Sequence, residues 1–229
     1  MIVKFSHAYL FVGTRGTGKT TCAKLVAKAF GFLYLDSGAM YRGVTLFAQE
    51  QGYINGANEI SPALEAALEG LDLHFENGTQ LFMGDRCIEG VIRTMAVSNQ
   101  VSPVAAVPWV RKWVDERLHR FSENGRVVMD GRDIGTTVFP NAELKVFMIA
   151  SDQVRAQRRF DEIAAKGENP VFEDVLKNLL ERDYIDSHRE TSPLVQAPDA
   201  FVLDNSEMTL TEEIAWVQGV IQGKFGILC

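Results

Sequence analysis

The sequence predicts an α/β fold in which helices flank a mostly parallel β-sheet. Three observations support this fold class. Short apolar segments alternate with amphipathic segments along most of the 229-residue chain. A glycine-rich loop separates the first apolar segment, residues 8–12, from the first amphipathic segment, residues 19–30. A strand, a helix and a second strand in this order indicate a right-handed crossover, which joins parallel strands.

The remaining elements continue this rhythm along the chain. Apolar runs of four to six residues predict strands, and longer amphipathic stretches predict helices. The further predicted strands cover residues 32–36, 126–130, 144–149 and 200–204, and the further predicted helices cover 39–50, 62–71, 94–124 with interruptions near Pro103 and Pro108, 152–166, 172–187 and 210–222.

An antiparallel insertion interrupts this pattern at roughly residues 53–93. Residues 71–76 and 79–84 both alternate apolar and polar side chains, and Asn77-Gly78 lies between them. Asn-Gly between two alternating segments is a strong signal of a tight hairpin turn. Residues 86–90 add a third short strand. We therefore expect a small antiparallel sheet that folds on its own within the α/β chain.

Composition limits the kinds of partner. The net charge is −7 and the pI is about 5.2, whereas proteins that bind long nucleic acids are usually basic. Small anions remain possible ligands, because local arginine clusters can overcome a negative total charge.

Cysteines and hydropathy bear on the compartment. The three cysteines form no C-x-x-C pair, which is typical of a reduced protein without disulfides or a zinc site. Residues 1–7 are too short and polar for a signal peptide, and no apolar run approaches the ~20 residues that a membrane helix needs. We expect a cytoplasmic monomer that binds neither a membrane nor a nucleic-acid polymer.

The loop before the first predicted helix matches the phosphate-loop pattern G-x-x-x-x-G-K-[ST] at every fixed position. Glycines allow successive backbone N–H groups to point inward at phosphate oxygens. Lys19 can reach the β- and γ-phosphates, and the Thr20 hydroxyl can bind Mg²⁺. The helix N-terminus adds a further attraction for anions. The predicted nucleotide-binding residues are Gly13, Thr14, Arg15, Gly16, Thr17, Gly18, Lys19, Thr20 and Thr21.

A second motif, Asp36-Ser37-Gly38-Ala39-Met40-Tyr41-Arg42, follows the second predicted strand. Ligands of open α/β sheets bind at the carboxyl ends of the strands. A hydroxyl and a guanidinium at a helix N-terminus can bind a phosphate group. In the structural alternative, Ser37 only caps the helix and Arg42 is a solvated helix residue.

A third motif, Asp130-Gly131-Arg132-Asp133-Ile134-Gly135-Thr136, follows the strand at 126–130. Asp130 has the position of an acidic residue that holds Mg²⁺ in phosphate-loop proteins. Arg132 and Asp133 are predicted to project into the same region. The structural alternative is a turn held by an Arg–Asp pair, but charged residues at a strand end are costly to bury without a function.

Two groups of charged residues follow on helices. Arg155, Arg158 and Arg159 lie on one predicted helix, and Arg182, Asp186 and Arg189 lie on or just after the next. Spacings of three and four residues put such side chains on shared faces. Ordinary surface salt bridges would explain either group alone. Near a phosphate loop, arginines have a second explanation, because they neutralise charge during phosphoryl transfer.

With these motifs in place, the chain resembles the bacterial cytidylate kinases of the nucleoside monophosphate kinase superfamily. The resemblance covers nearly the whole chain. It rests on four stretches in the same order: the phosphate loop at Gly13, residues 36–42, residues 131–140, and Glu181-Arg182-Asp183 with Asp186 and Arg189; residues 90–94 and 108–111 also fit. The stretches at 36–42 and 131–136 are specific to this family, whereas the phosphate loop is not.

The resemblance implies Mg²⁺-dependent transfer of a phosphoryl group from ATP to CMP or dCMP, in pyrimidine nucleotide metabolism. It also implies a five-stranded parallel core at about 1–38 and 94–229, a monophosphate-binding insert at about 39–93 and a lid at about 152–177. By matching position, the resemblance implies that the phosphate of the monophosphate is bound by Ser37, Arg42, Arg132 and Arg189. It implies cytosine binding by Ser102, Arg111 and Asp133, and sugar binding by Arg182 and Asp186. The arginines of the lid that closes on the transferring group are Arg155, Arg158 and Arg159. The implied catalytic group is Lys19, Arg132, Arg155, Arg158, Arg159 and Arg189, with Thr20 and Asp130 at the metal.

The phosphate loop departs from the family pattern at its start. The family usually has Asp-Gly-Pro there, whereas this chain has Val12-Gly13-Thr14, and Arg15 stands where a small residue is usual. Two other readings remain open. One is a small-metabolite kinase of the shikimate type, against which the long hairpin insertion argues. The other is a nucleotide switch or weakly active binding module, although the sequence has no N-K-x-D guanine motif.

Overall fold

A computed structural model describes residues 8–76, 80–123, 126–165 and 167–226. The chain divides into two compact units, one formed by Met1–Leu33 with Arg126–Cys229 and the other by Tyr34–Gly125. The strands are β1 (Ala8–Gly13), β2 (Leu33–Asp36), β3 (Leu73–Glu76), β4 (Gln80–Met83), β5 (Arg86–Cys87), β6 (Val127–Gly131), β7 (Leu144–Ile149) and β8 (Phe201–Asp204). The helices are α1 (Lys19–Phe30), α2 (Ser37–Glu50), α3 (Ala63–Ala67), α4 (Met95–Ala106), α5 (Pro108–Ser122), α6 (Asp152–Ala164), α7 (Phe172–His188) and α8 (Leu210–Phe225).

The main sheet has five strands in the order β2-β6-β1-β7-β8. Strand β1 lies at the centre and pairs in parallel with β6 on one side and β7 on the other, and β7 pairs in parallel with β8. This arrangement confirms the predicted fold class. Because the strands are parallel, their carboxyl ends lie along one edge of the sheet, and β1 leads from that edge into the phosphate loop.

Strand β1 is buried at the centre of the main sheet. Its residues Tyr9, Leu10 and Phe11 are completely buried, as expected for a strand with a parallel neighbour on each side. Helix α1 buries Cys22 and Val26 on one face. The loop between β1 and α1 is therefore held at both ends by buried elements.

The second unit contains the antiparallel sheet that the sequence predicts, in the order β3-β4-β5. Strands β3 and β4 pair antiparallel; the predicted Asn77-Gly78 turn lies outside the described residues. Helix α2 packs closely on this sheet, because a Cβ atom on Gly43 would lie 2.9 Å from side-chain carbons of Leu73 and Leu81. The indole N–H of Trp113 donates to the Leu68 carbonyl at 2.8 Å within the same unit.

The predicted interruption at Pro103 is wrong. Helix α4 continues through Pro103 to Ala106, although a proline inside a helix removes one hydrogen bond and its ring clashes with the preceding turn. Val104, the next residue, is completely buried and holds the segment in place. The break falls instead at Val107, directly before Pro108, where the residue preceding a proline is driven out of the helical region.

Two further observations concern the cysteines and the membrane-spanning character of the helices. Cys22 and Cys87 are free thiols, the first buried and the second exposed. Over the same residues, no helix has the length and apolar character needed to cross a bilayer.

Two glycine substitutions test the packing of α2. Alanine is favoured over glycine inside a helix by ~1 kcal/mol, so Gly219→Ala in α8, where nothing lies within 4 Å, should raise the free energy of unfolding by about that amount. At Gly43 the same gain is opposed by overpacking against two leucines, which costs ~1–3 kcal/mol. We expect Gly43→Ala to be destabilising in urea unfolding. Equal stabilisation by both substitutions would contradict the close packing.

Candidate active site

The phosphate loop between β1 and α1 is folded back on itself. Gly16 and Gly18 have φ values of +80° and +79°, a backbone conformation that favours glycine. The Thr17 hydroxyl and the Lys19 ammonium both donate to the Thr14 carbonyl oxygen at 3.0 Å. Lys19 is buried, so its positive charge is held across the loop at the N-terminus of α1. A charge and a helix N-terminus in this arrangement attract phosphate.

The loop also packs tightly against the main chain of its neighbours. A Cβ atom on Gly13 would lie 2.3 Å from the Met148 carbonyl oxygen in β7. A Cβ atom on Gly16 would lie 3.0 Å from the Cβ atom and the carbonyl oxygen of Arg155 in α6. Side chains at these two positions would displace the backbone, so glycine is required for close approach as well as for the turn.

Thr20 and Asp130 meet at the start of α1. The Thr20 hydroxyl donates to Asp130 Oδ2 at 2.7 Å, and Asp130 is buried at the end of β6. The register of the sheet explains the meeting, because Asp130 pairs with Phe11 of β1. A hydroxyl beside a carboxylate supplies the oxygen ligands that Mg²⁺ prefers.

Two Arg–Asp contacts join the turn after β6 to the end of α7. Arg132 Nε donates to Asp186 Oδ2 at 2.8 Å, and Arg189 Nη2 lies 3.5 Å from Asp133 Oδ1. Burial alone would raise the pKa of the Asp186 carboxyl, but the charges of Arg132, Arg189 and Arg182 and the Arg132 hydrogen bond outweigh it and lower this pKa. The predicted phosphate and sugar residues of this unit therefore form one charged group.

Arg155 lies almost completely buried beneath the phosphate loop. Its guanidinium donates to the carbonyl oxygens of Arg15 at 3.0 Å and Ala150 at 3.1 Å. It also forms ion pairs with Asp183 and Asp152. A single side chain thus links α6 and α7 to the backbone of the loop.

The other two arginines of α6 have different surroundings. Arg158 donates to both the side-chain oxygen and the main-chain oxygen of Asn205, at 3.1 and 3.0 Å. Arg159 Nη1 pairs with Glu162 Oε2 on the same helix at 2.6 Å. Asn205 is absent from the predicted site residues. Its position directly after β8 is the only signal that could have found it.

In the second unit, Asp36 organises the N-terminus of α2. Its Oδ1 accepts from the Ala39 N–H at 2.9 Å, so Asp36 caps this helix and the structural alternative, a cap by Ser37, does not hold. Arg93 donates to Asp36 Oδ2 at 3.0 Å. Burial alone would raise the pKa of Asp36, but the charges of Arg42 and Arg93 outweigh it and lower this pKa. Arg93 lies in the matching stretch 90–94 but was not predicted as a site residue.

Arg111 and Ser102 lie on the helices α5 and α4 of the same unit. Arg111 is buried, and its Nη1 donates to the Ala105 carbonyl oxygen near the end of α4 at 2.9 Å. A positive charge is favourable at a helix C-terminus. The guanidinium also lies 5.2 Å from the centre of the Tyr41 ring. Ser102 is half-buried.

Comparisons with known proteins show which family the chain belongs to. A family model described as cytidylate kinase matches residues 12–222. A cytidylate kinase from Flavobacterium johnsoniae is 49% identical over 210 residues, which cover 90% of this chain and 91% of that protein. A cytidylate kinase from Bacteroides thetaiotaomicron is 45% identical over 210 residues, with 90% and 92% coverage.

One solved structure adds a likeness of fold alone. An uncharacterized protein from Eubacterium ventriosum has a TM-score of 0.51 at 8% identity and covers 94% of this chain and 98% of its own. The family match over most of the chain and the identity of the relatives lead to one conclusion: the chain belongs to the cytidylate kinase family.

Proposed function

We propose that this protein transfers the γ-phosphoryl group of ATP to CMP or dCMP and forms ADP with CDP or dCDP. One observation carries the proposal: proteins named cytidylate kinase match this chain at 43–49% identity over 90% of its length or more. The phosphate loop and the two family-specific stretches lie inside the matched region. The enzyme is accordingly a nucleoside monophosphate kinase.

The phosphate loop supplies the binding site for the triphosphate of ATP. Inward N–H groups of residues 13–21 hold the phosphate oxygens. When ATP binds, the Lys19 ammonium breaks its hydrogen bond to the Thr14 carbonyl oxygen and binds the β- and γ-phosphates instead. Because the ammonium is already buried beside the loop, little reorganisation precedes the neutralisation of charge in the transition state.

Thr20 and Asp130 fit a bound Mg²⁺ ion. Their oxygens are in contact, and no three His, Cys, Asp or Glu side chains group into a metal site among the described residues. Thr20 and Asp130 would hold the ion together with phosphate oxygens of the nucleotide. Bound there, Mg²⁺ would neutralise charge on the β- and γ-phosphates.

Arginines are proposed to neutralise charge around the transferring group. Arg132 and Arg189 are held by aspartates in the first unit. Arg158 and Arg159 belong to the proposed lid at about 152–177, which would close over the nucleotides and exclude water. Arg155 is proposed for the same lid role, and its hydrogen bond to the Arg15 carbonyl oxygen supports the loop as well.

The remaining proposed roles concern the monophosphate. Its phosphate group is bound by Ser37, just before the insert at about 39–93, and by Arg42, within it. Ser102, Arg111 and Asp133 read the cytosine ring, and Arg182 and Asp186 bind the sugar. These assignments rest on matching family positions. The expectation of a cytoplasmic monomer without a nucleic-acid polymer partner stays a prediction.

A substrate panel tests the proposal. The purified protein is assayed with ATP and Mg²⁺ against CMP, dCMP, UMP, AMP and shikimate. We expect CMP and dCMP to be the preferred acceptors. Lys19→Ala should lower kcat by ~100-fold or more, because the ammonium stabilises developing charge. The control is Lys24→Ala, on the exposed side of the same helix, which should leave kcat unchanged. Preference for shikimate, or full activity of a folded Lys19→Ala protein, would refute the proposal.

Base selection is tested at Asp133. Cytosine offers an amino donor at N4, which a carboxylate accepts, whereas uracil offers an acceptor at O4. Unpaired groups in a closed site cost ~1–3 kcal/mol each, so CMP should exceed UMP in kcat/KM by ~10²–10⁴. Asp133→Ala should lower this ratio, and Asp85→Ala, at an exposed acid, should leave it unchanged. An unchanged ratio in Asp133→Ala would assign Asp133 to holding Arg189 in place.

A further inference from the structure

Asn205 lies at the back of the phosphate loop and belongs to none of the family-specific stretches. It follows β8 directly and is completely buried. Its backbone N–H donates to the Ile149 carbonyl oxygen at 3.0 Å, which fixes the residue to the end of β7. Its side chain is therefore presented from two neighbouring strands of the rigid sheet.

The side-chain amide of Asn205 connects two parts of the proposed machinery. Its Nδ2 donates to the Thr17 carbonyl oxygen in the phosphate loop at 2.7 Å. Its Oδ1 accepts from Arg158 Nη1 at 3.1 Å. A carbonyl oxygen only accepts and a guanidinium only donates, so the amide has one orientation that satisfies both partners. A carboxylate of the same shape could satisfy Arg158 but not Thr17.

Glu213 closes this group from α8. Its carboxyl is buried, and Oε1 lies 3.9 Å from Arg158 Nη2. Burial raises the pKa of Glu213, and the hydrogen bond from Asn205 and the charge of Arg158 offset part of this rise. A buried acid next to Arg158 favours the position of the guanidinium on Asn205.

We propose that Asn205 is a positioning residue that shapes the phosphate loop through Thr17 and holds Arg158 in a resting position until phosphate competes for it. The proposal rests on the proposed role of Arg158 at the transferring phosphoryl group. Arg158 donates one N–H group from each terminal nitrogen to Asn205, so these two N–H groups must leave Asn205 before they can bind a phosphate. Loop geometry and arginine release are then linked through one amide.

The first test is Asn205→Asp, which keeps the shape and the acceptor but removes the donor to Thr17. ATP affinity is measured by calorimetry without monophosphate, so the result does not depend on which acceptor the enzyme uses. We expect ATP binding about ten-fold weaker, since an oxygen would then face the Thr17 carbonyl, with the KM for CMP unchanged. Asn55→Asp, the same change at an exposed turn, should alter neither value.

Wild-type ATP affinity in Asn205→Asp would overturn the proposal. Equal increases in the KM values for ATP and CMP, accompanied by a lower melting temperature, would also overturn it, because they indicate a merely structural role. Failure of the wild-type protein to phosphorylate CMP would refute the proposed function while leaving the ATP-affinity test of Asn205 intact.

The second test is a double-mutant cycle that does not depend on the aspartate variant. Asn205→Ala and Arg158→Ala are combined, and kcat/KM for ATP is measured. Residues that act through one another give non-additive effects, so the combined loss should be at least about five-fold smaller than the product of the single losses. Arg159→Ala is the matched control, because Arg159 pairs with Glu162 instead. Multiplicative losses for Asn205 with Arg158 would contradict the coupling.

Discussion

The close approach of the phosphate loop to the main chain of β7 and α6 is the constraint on which the candidate site depends. Gly13 and Gly16 leave no room for a Cβ atom beside Met148 and Arg155. The loop is therefore shaped by contacts with its neighbours as well as by its own glycines. A rigid loop can present its N–H groups to phosphate without losing further conformational freedom on binding, which favours affinity.

Buried charges extend this constraint outward from the loop. Arg155 is desolvated, and such a group is tolerated only when it is paired and hydrogen-bonded. Its partners are two carboxylates and two carbonyl oxygens, one of which belongs to the loop itself. Helix α7 supplies one of these carboxylates, Asp183. A displacement of α7 would therefore move Arg155 and, through it, the backbone of the phosphate loop. The same helix carries Asp186, which holds Arg132.

Sequence patterns located the elements better than the contacts between them. The bounds of α1 and β7 were predicted correctly, because an apolar run or a helical face ends there at clear signals. Pro103 misled the prediction, because the local rule for proline was overridden by burial of the next residue. Arg93 on Asp36 and Asn205 on Thr17 join residues 57 and 188 positions apart. Such pairs depend on strand order and register, which no local pattern encodes.

The most direct test of this account is the calorimetric affinity of a Gly16→Ala variant for ATP. Alanine at a left-handed φ costs about 1–2 kcal/mol, and its Cβ atom would lie too close to Arg155. The loop of the free variant should therefore relax to another shape, and ATP binding would have to restore the original one. We predict affinity reduced about ten-fold or more, with an unchanged value in Gly56→Ala, where nothing lies within 4 Å. Wild-type affinity in folded Gly16→Ala would show that the shape of the loop does not govern phosphate binding.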